Sequence, residues 1–263
     1  MPPASEKTKA VEFLDVTYRI KQRNLVSNLN FAVRQGEALV LLGRSGSGKT
    51  TTMKLVNKLY SPTRGEVLVQ GKPTTNWDPI KLRRKIGYVI QETGLFPHLT
   101  VEKNVALVPK LEGWERDRIE QRTYELLELV GLEPKGFAKR YPHELSGGQR
   151  QRVGVARALA ADPPVMLMDE PFGALDPITR LELQQEFRRL QQQLGKTTIF
   201  VTHDIQEAFI LATNIGLMYE GQLVFLGPPE EFWRSQHPEA RAFISCLRSI
   251  EPPPADKSSE FLA

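Results

Sequence analysis

Apolar residues recur along this chain with two different periods, and each period predicts a type of element. Alternation rich in β-branched residues predicts strands at about Val11 to Ile20 and Glu66 to Gln70, and the continuous apolar run Ala38 to Leu42 predicts another. These three are expected to form a mixed first sheet. Further apolar strands are expected at Val165 to Met168, Thr197 to Val201 and Gly216 to Met218, each beside a helical stretch, which is the βα alternation of a parallel sheet. The fold class that follows is α/β. Between these strands, Thr100 to Leu159 carries Leu and Val at helix spacing, most clearly in Arg118 to Val130, and predicts a separate helical lobe. The expected division is a core lobe at about 11–92 and 160–228, a helical lobe at about 93–159 and C-terminal helices at 229–250. The run Pro252-Pro253-Pro254 opens a polar end, so 251–263 is expected to be disordered.

Composition narrows the setting. In 263 residues, 40% hydrophobic and 25% charged, there is enough apolar matter for one large domain or two joined lobes. No apolar run approaches the roughly 18 to 20 residues that cross a bilayer, and the first ten residues lack the apolar segment of a secretory signal. A soluble cytosolic chain is the expectation. Cys246 is the single cysteine, so it supports neither an intrachain disulfide nor a zinc site. Net charge is +4, and basic residues such as Arg83, Arg84 and Lys85 stand among 31 acidic ones. The dense basic run from Lys81 to Lys85 reads as a solvated helix face, and no nucleic-acid partner is expected.

Candidate chemistry begins at Gly43-Arg44-Ser45-Gly46-Ser47-Gly48-Lys49-Thr50, which follows an apolar strand and precedes a helical segment, and Thr51 is counted with it among the nucleotide-binding residues. That context is what a phosphate loop requires. The glycines allow a tight turn that aims backbone N–H groups inward, the helix presents its positive end, and Lys49 is expected to reach the β- and γ-phosphates. Thr50 offers a hydroxyl to Mg²⁺. The strand Val165 to Met168 ends in Asp169 and Glu170, at the carboxyl edge of a parallel sheet where ligands bind. Asp169 fits the metal-side carboxylate, and Glu170 is free to orient or deprotonate an attacking water. Ser146, Gly147 and Gly148 precede a helix near Gln149 and make a second anion site of hydroxyl, bare backbone and helix dipole. Alone, that triplet reads as the cap of an ordinary helix, and the full pentapeptide with a phosphate loop overturns that reading.

With Leu145-Ser146-Gly147-Gly148-Gln149 beside the phosphate loop, the chain resembles the ATP-binding subunit of ABC transporters over about residues 11 to 245. The resemblance implies a phosphate-loop NTPase of the ABC ATPase fold, a RecA-like core with a mixed N-terminal sheet and an inserted helical lobe, using ATP and Mg²⁺. It further implies that the pentapeptide completes the ATP site of a partner, in a homodimer or a pseudo-symmetric pair of ATPase subunits. By the same resemblance Tyr18 stacks on adenine, Gln91 touches Mg²⁺ and the attacking water, His203 holds the γ-phosphate, and Asp176 in Gly173-Ala174-Leu175-Asp176 contacts the other subunit. A membrane permease is expected to dock near Glu92 to Val105, where Leu95, Phe96 and Pro97 form either a cleft or plain core, and a substrate-binding protein takes part indirectly. The expected place is peripheral, on the cytoplasmic face of the cell membrane. One departure is Ala212-Thr213-Asn214, where many relatives carry an acidic and a basic residue. The stretch Gly87 to Trp114 is similar to the osmoprotectant importers of glycine betaine, carnitine and choline. Lipid or amino-acid transporters and soluble ABC ATPases without a permease are the alternatives.

Overall fold

A computed structural model describes residues 8–91, 94–173 and 175–248. Glu92 and Thr93 of the expected docking stretch, Ala174, and the expected disordered tail at 251–263 lie outside the described residues. In chain order the elements are β1 (Lys9–Ile20), β2 (Arg23–Arg34), β3 (Ala38–Leu42), α1 (Lys49–Val56), β4 (Arg64–Val69), β5 (Lys72–Pro73), α2 (Pro79–Arg84) and β6 (Ile86–Val89). Then come α3 (Val101–Val105), α4 (Leu107–Leu111), α5 (Arg116–Leu129), α6 (Pro134–Phe137) and α7 (Gly147–Leu159), with no strand between β6 and β7 among the described residues. The rest is β7 (Val165–Asp169), α8 (Pro177–Leu194), β8 (Thr197–Thr202), α9 (Ile205–Leu211), β9 (Asn214–Tyr219), β10 (Gln222–Gly227), α10 (Pro229–Arg234) and α11 (Pro238–Arg248).

The strands make two sheets. One has four strands in the order β2-β1-β4-β5, and the other has six in the order β10-β9-β3-β8-β7-β6. The four-stranded sheet is antiparallel throughout. Ala38–Leu42 therefore does not join the first sheet, as its position in the sequence suggests. It lies at the centre of the six-stranded sheet, parallel to both β8 and β9. The physical reason is burial on both faces: every residue of β3, β7 and β8 is buried, which a strand reaches only inside a covered parallel sheet.

Alternation along these strands splits the interior in two. Val40, Leu42, Met166, Met168 and Phe200 face a core shared with Val105, Leu126, Val153, Phe187, Ala208 and Ile244. Leu39, Leu41, Val165, Leu167, Ile199 and Val201 face the other core, built with Val11, Phe13, Leu29, Met53 and Val67. The long hairpin β1–β2 covers this second side. In β2, Val26 and then Leu29, Phe31 and Val33 point inward, and the change of phase falls at Asn28, which takes a φ of 50° and accepts no period-2 reading. Its N–H donates to Thr17 Oγ1 at 3.1 Å, so the irregularity is held by a cross-strand bond.

The helical segment meets the sheet closely at one point. Gly87 of β6 lies so near α7 that a β-carbon there would sit 2.5 Å from the carbonyl oxygen of Ala158 and 3.0 Å from Pro163 Cγ. Thr213, in place of an ion pair at the departure noted above, donates from its backbone N–H to the Ala38 carbonyl and accepts from the Ala38 N–H at 3.0 Å, which ties the start of β9 to β3. The packing at β6 yields a test. Gly87→Val should destabilise the chain by about 1 to 3 kcal/mol, the cost of overfilling a packed interior; an unchanged denaturation midpoint would show that α7 is free to move off the sheet.

Candidate active site

The phosphate-loop segment links the end of β3 to the start of α1, and its glycines answer to close approach. Gly48 is the residue before the helix, with φ 103°, and a β-carbon there would meet the Leu25 carbonyl oxygen at 2.8 Å. A β-carbon on Gly43 would strike the Met218 carbonyl of β9. The loop is thus pressed between the β1–β2 hairpin and β9. Ser47 is buried and its carbonyl accepts from the Gly221 N–H at 3.1 Å, while Ser45 and Gly46 form the exposed tip and Thr51 is half-buried on α1. Lys49 is buried, and its ammonium donates to the carbonyls of Gly43 at 2.7 Å and Arg44 at 2.9 Å. Burial pushes its pKa down, against the carboxylates of Glu170 and Asp169, which pull it up.

Asp169 closes β7 with a buried carboxylate, to which Thr50 Oγ1 donates at 3.1 Å. Burial raises its pKa, and the bond from Thr50 opposes the shift. A hydroxyl and a carboxylate converging at this distance are hard oxygen donors of the kind Mg²⁺ takes. Glu170 follows in the left-handed region at φ 44°, a conformation that costs a β-carbon-bearing residue energy and concentrates at functional sites. Its N–H donates to the Val201 carbonyl at 2.9 Å, and its carboxylate is reached from two sides. Gln91 Nε2 donates to Oε2 at 3.3 Å, and His203 Nδ1 lies 3.1 Å from Oε1. Gln91 follows β6, His203 follows β8 and the loop follows β3, so the carboxyl edge of one parallel sheet gathers Lys49, Thr50, Asp169, Glu170, Gln91 and His203.

Ser146, Gly147, Gly148 and Gln149 form a second group. Ser146 caps α7, its Oγ accepting from the Gln149 N–H at 3.2 Å while Gln149 Oε1 accepts from the Ser146 N–H at 3.0 Å. β-Carbons at Gly147 and Gly148 would lie 3.3 Å from Leu175 Cδ2 and 2.9 Å from Thr179 Cγ2, so this helix start abuts the segment carrying Asp176. Asp176 in turn caps α8, accepting from the Thr179 N–H at 3.1 Å, and that backbone bond holds its carboxyl below the usual range. Tyr18 lies on β1, half-buried, with its ring stacked on Tyr60 at 4.9 Å between centroids and 10° between planes.

Some contacts around the candidate site are not legible along the chain. Tyr60 gives no local signal that it backs Tyr18. Arg44, expected among the phosphate-binding residues, directs its guanidinium away to Glu239 on α11, and no spacing predicts a partner 195 residues on. Glu207 of α9 is buried, with Thr202 Oγ1 donating to Oε2 at 2.6 Å and Gln184 Nε2 donating to Oε1 at 3.1 Å. Thr202 Oγ1 also accepts the Asp204 N–H at 2.9 Å, so this network braces the turn that carries His203.

The family described as ABC transporter matches residues 26–173. The chain is 50% identical to the choline transport ATP-binding protein OpuBA of Bacillus subtilis over 87% of this chain and 60% of that protein. It is 50% identical to the glycine betaine/carnitine/choline transport ATP-binding protein OpuCA of the same organism, over 88% of this chain and 61% of that one. It is 51% identical to the glycine betaine uptake system ATP-binding protein YehX of Escherichia coli, over 83% and 71%. The chain thus spans about three fifths of the length of the first two relatives. Among solved structures it is similar to the dimeric, post-hydrolysis ATP-binding cassette MJ0796 bound to ADP and Pi, with a TM-score of 0.74 and 35% identity over 83% of this chain and 98% of that one. It is also similar to cbiO1 of Clostridium perfringens, with a TM-score of 0.80 and 29% identity over 87% and 92%.

The brace behind His203 generates a pH test. Burial raises the pKa of Glu207, so the folded chain holds that proton more tightly than the unfolded chain does. Its contribution to stability is intact below the ordinary glutamate value of about 4.3 and is lost as pH rises through the raised value. In Glu207→Gln the amide oxygen can accept from Gln184 and the amide N–H can donate to Thr202, which removes the ionisation. The variant's stability relative to the parent should rise between pH 4 and neutrality in chemical denaturation. A difference that does not change with pH would locate the penalty in another group.

Proposed function

The chain belongs to the ABC transporter family, and on that premise we propose that it is the ATP-hydrolysing subunit of an importer of osmoprotectants such as glycine betaine, carnitine or choline. The observation that carries the chemical part is Glu170, held in the left-handed region with Gln91 and His203 bonded to its two oxygens, beside the Lys49, Thr50 and Asp169 group. The cargo part rests on the names of the relatives, which are choline and glycine betaine transport subunits.

In this reading the Gly43 to Thr50 loop, with Thr51 behind it, holds the phosphates through inward N–H groups, the start of α1 and the Lys49 ammonium. Thr50 and Asp169, with Gln91 alongside, would hold Mg²⁺, which would supply neutralisation of phosphate charge. Tyr18, backed by Tyr60, takes one face of the adenine. Glu170 accepts the proton of a water aligned with the γ-phosphorus by Gln91. The new P–O bond forms as the bond to the bridging β,γ oxygen breaks, and ADP and phosphate leave. With Nδ1 at Glu170, His203 keeps Nε2 for a γ-phosphate oxygen. Positioning and electrostatics supply the rate.

A single chain leaves Ser146 to Gln149 and Asp176 as a second group beside Leu175 and Thr179. We assign that group to the ATP of a partner subunit in a two-fold pair, each chain of which has a core lobe at about 11–92 with 160–228 and a helical lobe at about 93–159. No helix among the described residues is long and apolar enough to cross a membrane, which suits a subunit bound peripherally to a permease on the cytoplasmic face, with a substrate-binding protein acting through that permease. The permease would dock where a cavity of about 260 Å³ is lined by Tyr88, Ile90, Gly94, Phe96, Leu107 and Arg157. Ile90 and Phe96 are exposed there, at 38% and 41%.

Two measurements test these assignments. Glu170→Gln should slow ATP hydrolysis by about 10² to 10⁴-fold with ATP still bound, whereas Lys49→Ala should weaken ATP binding itself in nucleotide titration. Equal affinity in the two variants would count against the roles given to both residues. Phe96→Asp should remove the chain from the membrane fraction that holds its permease while ATP binding persists. Retention in that fraction would move the docking site elsewhere.

A further inference from the structure

The ion pair between the phosphate-loop segment and the C-terminal helix has no part in the hydrolysis just described. Arg44 Nε–H donates to Glu239 Oε1 at 2.7 Å and Nη2–H donates to Oε2 at 3.1 Å, a two-point contact that fixes direction as well as distance. The two partners are unequally placed: the Arg44 side chain is 67% exposed, that of Glu239 only 8%. Glu239 is the fixed end. It lies in the first turn of α11, its N–H donates to His237 Nδ1 at 3.2 Å, and Ala240 and Ile244 beside it are buried in the core that also holds Leu42 and Met168.

Arg44 is the movable end. It sits between Gly43 and the exposed Ser45 and Gly46, and Gly46 takes φ 78° with nothing near the position of a β-carbon. Apart from the Arg44 side chain, this half of the loop is tied by one backbone bond, from the Ser47 N–H to the Arg44 carbonyl at 3.2 Å, and by the Lys49 ammonium, which donates to the carbonyls of Gly43 and Arg44. Those Lys49 bonds compete with a bound phosphate for the same ammonium. A polyphosphate that draws Lys49 away leaves the Arg44 side chain and the Ser47 backbone bond as the ties of this half of the loop.

We propose that Glu239 is a positioning residue for the nucleotide site: through Arg44 it pins the phosphate loop in its phosphate-accepting shape and makes α11 a handle on nucleotide affinity. The pin lowers the ordering that nucleotide binding must otherwise impose on glycine-rich backbone. It also turns the Arg44 guanidinium away from the phosphates, so its action is through loop shape and not through charge on the nucleotide. The proposal rests on the reading of this loop as the ATP site.

The test uses the full chain and the variants Glu239→Ala, Arg44→Ala and the double variant. Amide hydrogen exchange of residues 43–48 is read first, without nucleotide, and should be faster in each single variant. ATP titration should then show affinity weaker by about tenfold in each, the equivalent of ordering one further backbone residue. The double variant should be no weaker than the singles. For Glu239→Ala, KM for ATP should rise with kcat at saturation unchanged. Glu239→Gln, which keeps one acceptor for Arg44, should restore part of the loss. Faster exchange along residues 240–247 with unchanged exchange at 43–48 and unchanged affinity would reduce Glu239 to an anchor of α11 and overturn the proposal, as would losses that add in the double variant. If the unaltered chain binds no ATP, the ATP reading fails, and the exchange of the loop still decides whether the pin exists.

Discussion

Parallel strands share an end, and nearly everything chemical in this molecule depends on that geometrical constraint. Because β3, β8, β7 and β6 run the same way in adjacent positions, the residues that follow them emerge at one edge within reach of one another. The phosphate loop, His203, the Asp169–Glu170 pair and Gln91 come from four distant stretches of chain and need no special folding event to meet. What they need is a sheet covered on both faces, since only that environment buries every residue of β3, β7 and β8. Two cores, one on each side of the same strands, therefore hold the candidate site together.

Much of this was legible in the sequence where local chemistry and element type agree. The run Ala38 to Leu42 followed by three spaced glycines and Lys49-Thr50 carries strand, turn and helix start in a dozen residues. Val165 to Asp169 does the same with an apolar run that ends in a carboxylate. What the sequence leaves illegible is either broken in pattern or distant along the chain. In β2, Asn28 shifts the phase of an otherwise clear alternation, so Val26 and Leu29 read as unrelated. In β6, four residues with a central Gly87 are too few for a period, and β10 follows β9 after a tight turn in a short stretch that reads as an extension of it. Ala38–Leu42 reads as a strand, but its place in the chain assigns it to the first sheet, because order along the chain says nothing of a crossover.

The site shows the same division. Residues whose role is set by their own neighbours in sequence, such as Ser146 with Gln149 or Asp176 with Thr179, announce themselves through capping patterns. Residues that act by holding others do not. Tyr60 behind Tyr18, Glu207 behind the His203 turn and Glu239 behind Arg44 are ordinary letters in ordinary helices or turns, and only the folded chain brings each to its partner. A supporting residue needs only reach and burial, and neither is written locally.

Lys49 has one more consequence. Its ammonium is satisfied by two of the loop's own carbonyls, at 2.7 and 2.9 Å, in a setting where burial already disfavours its charge. An anion that approaches gains an ion pair with the ammonium but must displace both carbonyls, so part of that gain offsets bonds already made. Chloride or a single phosphate offers one weak trade, whereas a chain of phosphates spans the loop and trades at several points at once. On the proposed reading of this loop, the lysine would set a threshold as well as an attraction, and an anion long enough to make several bonds at once would be favoured over a short one.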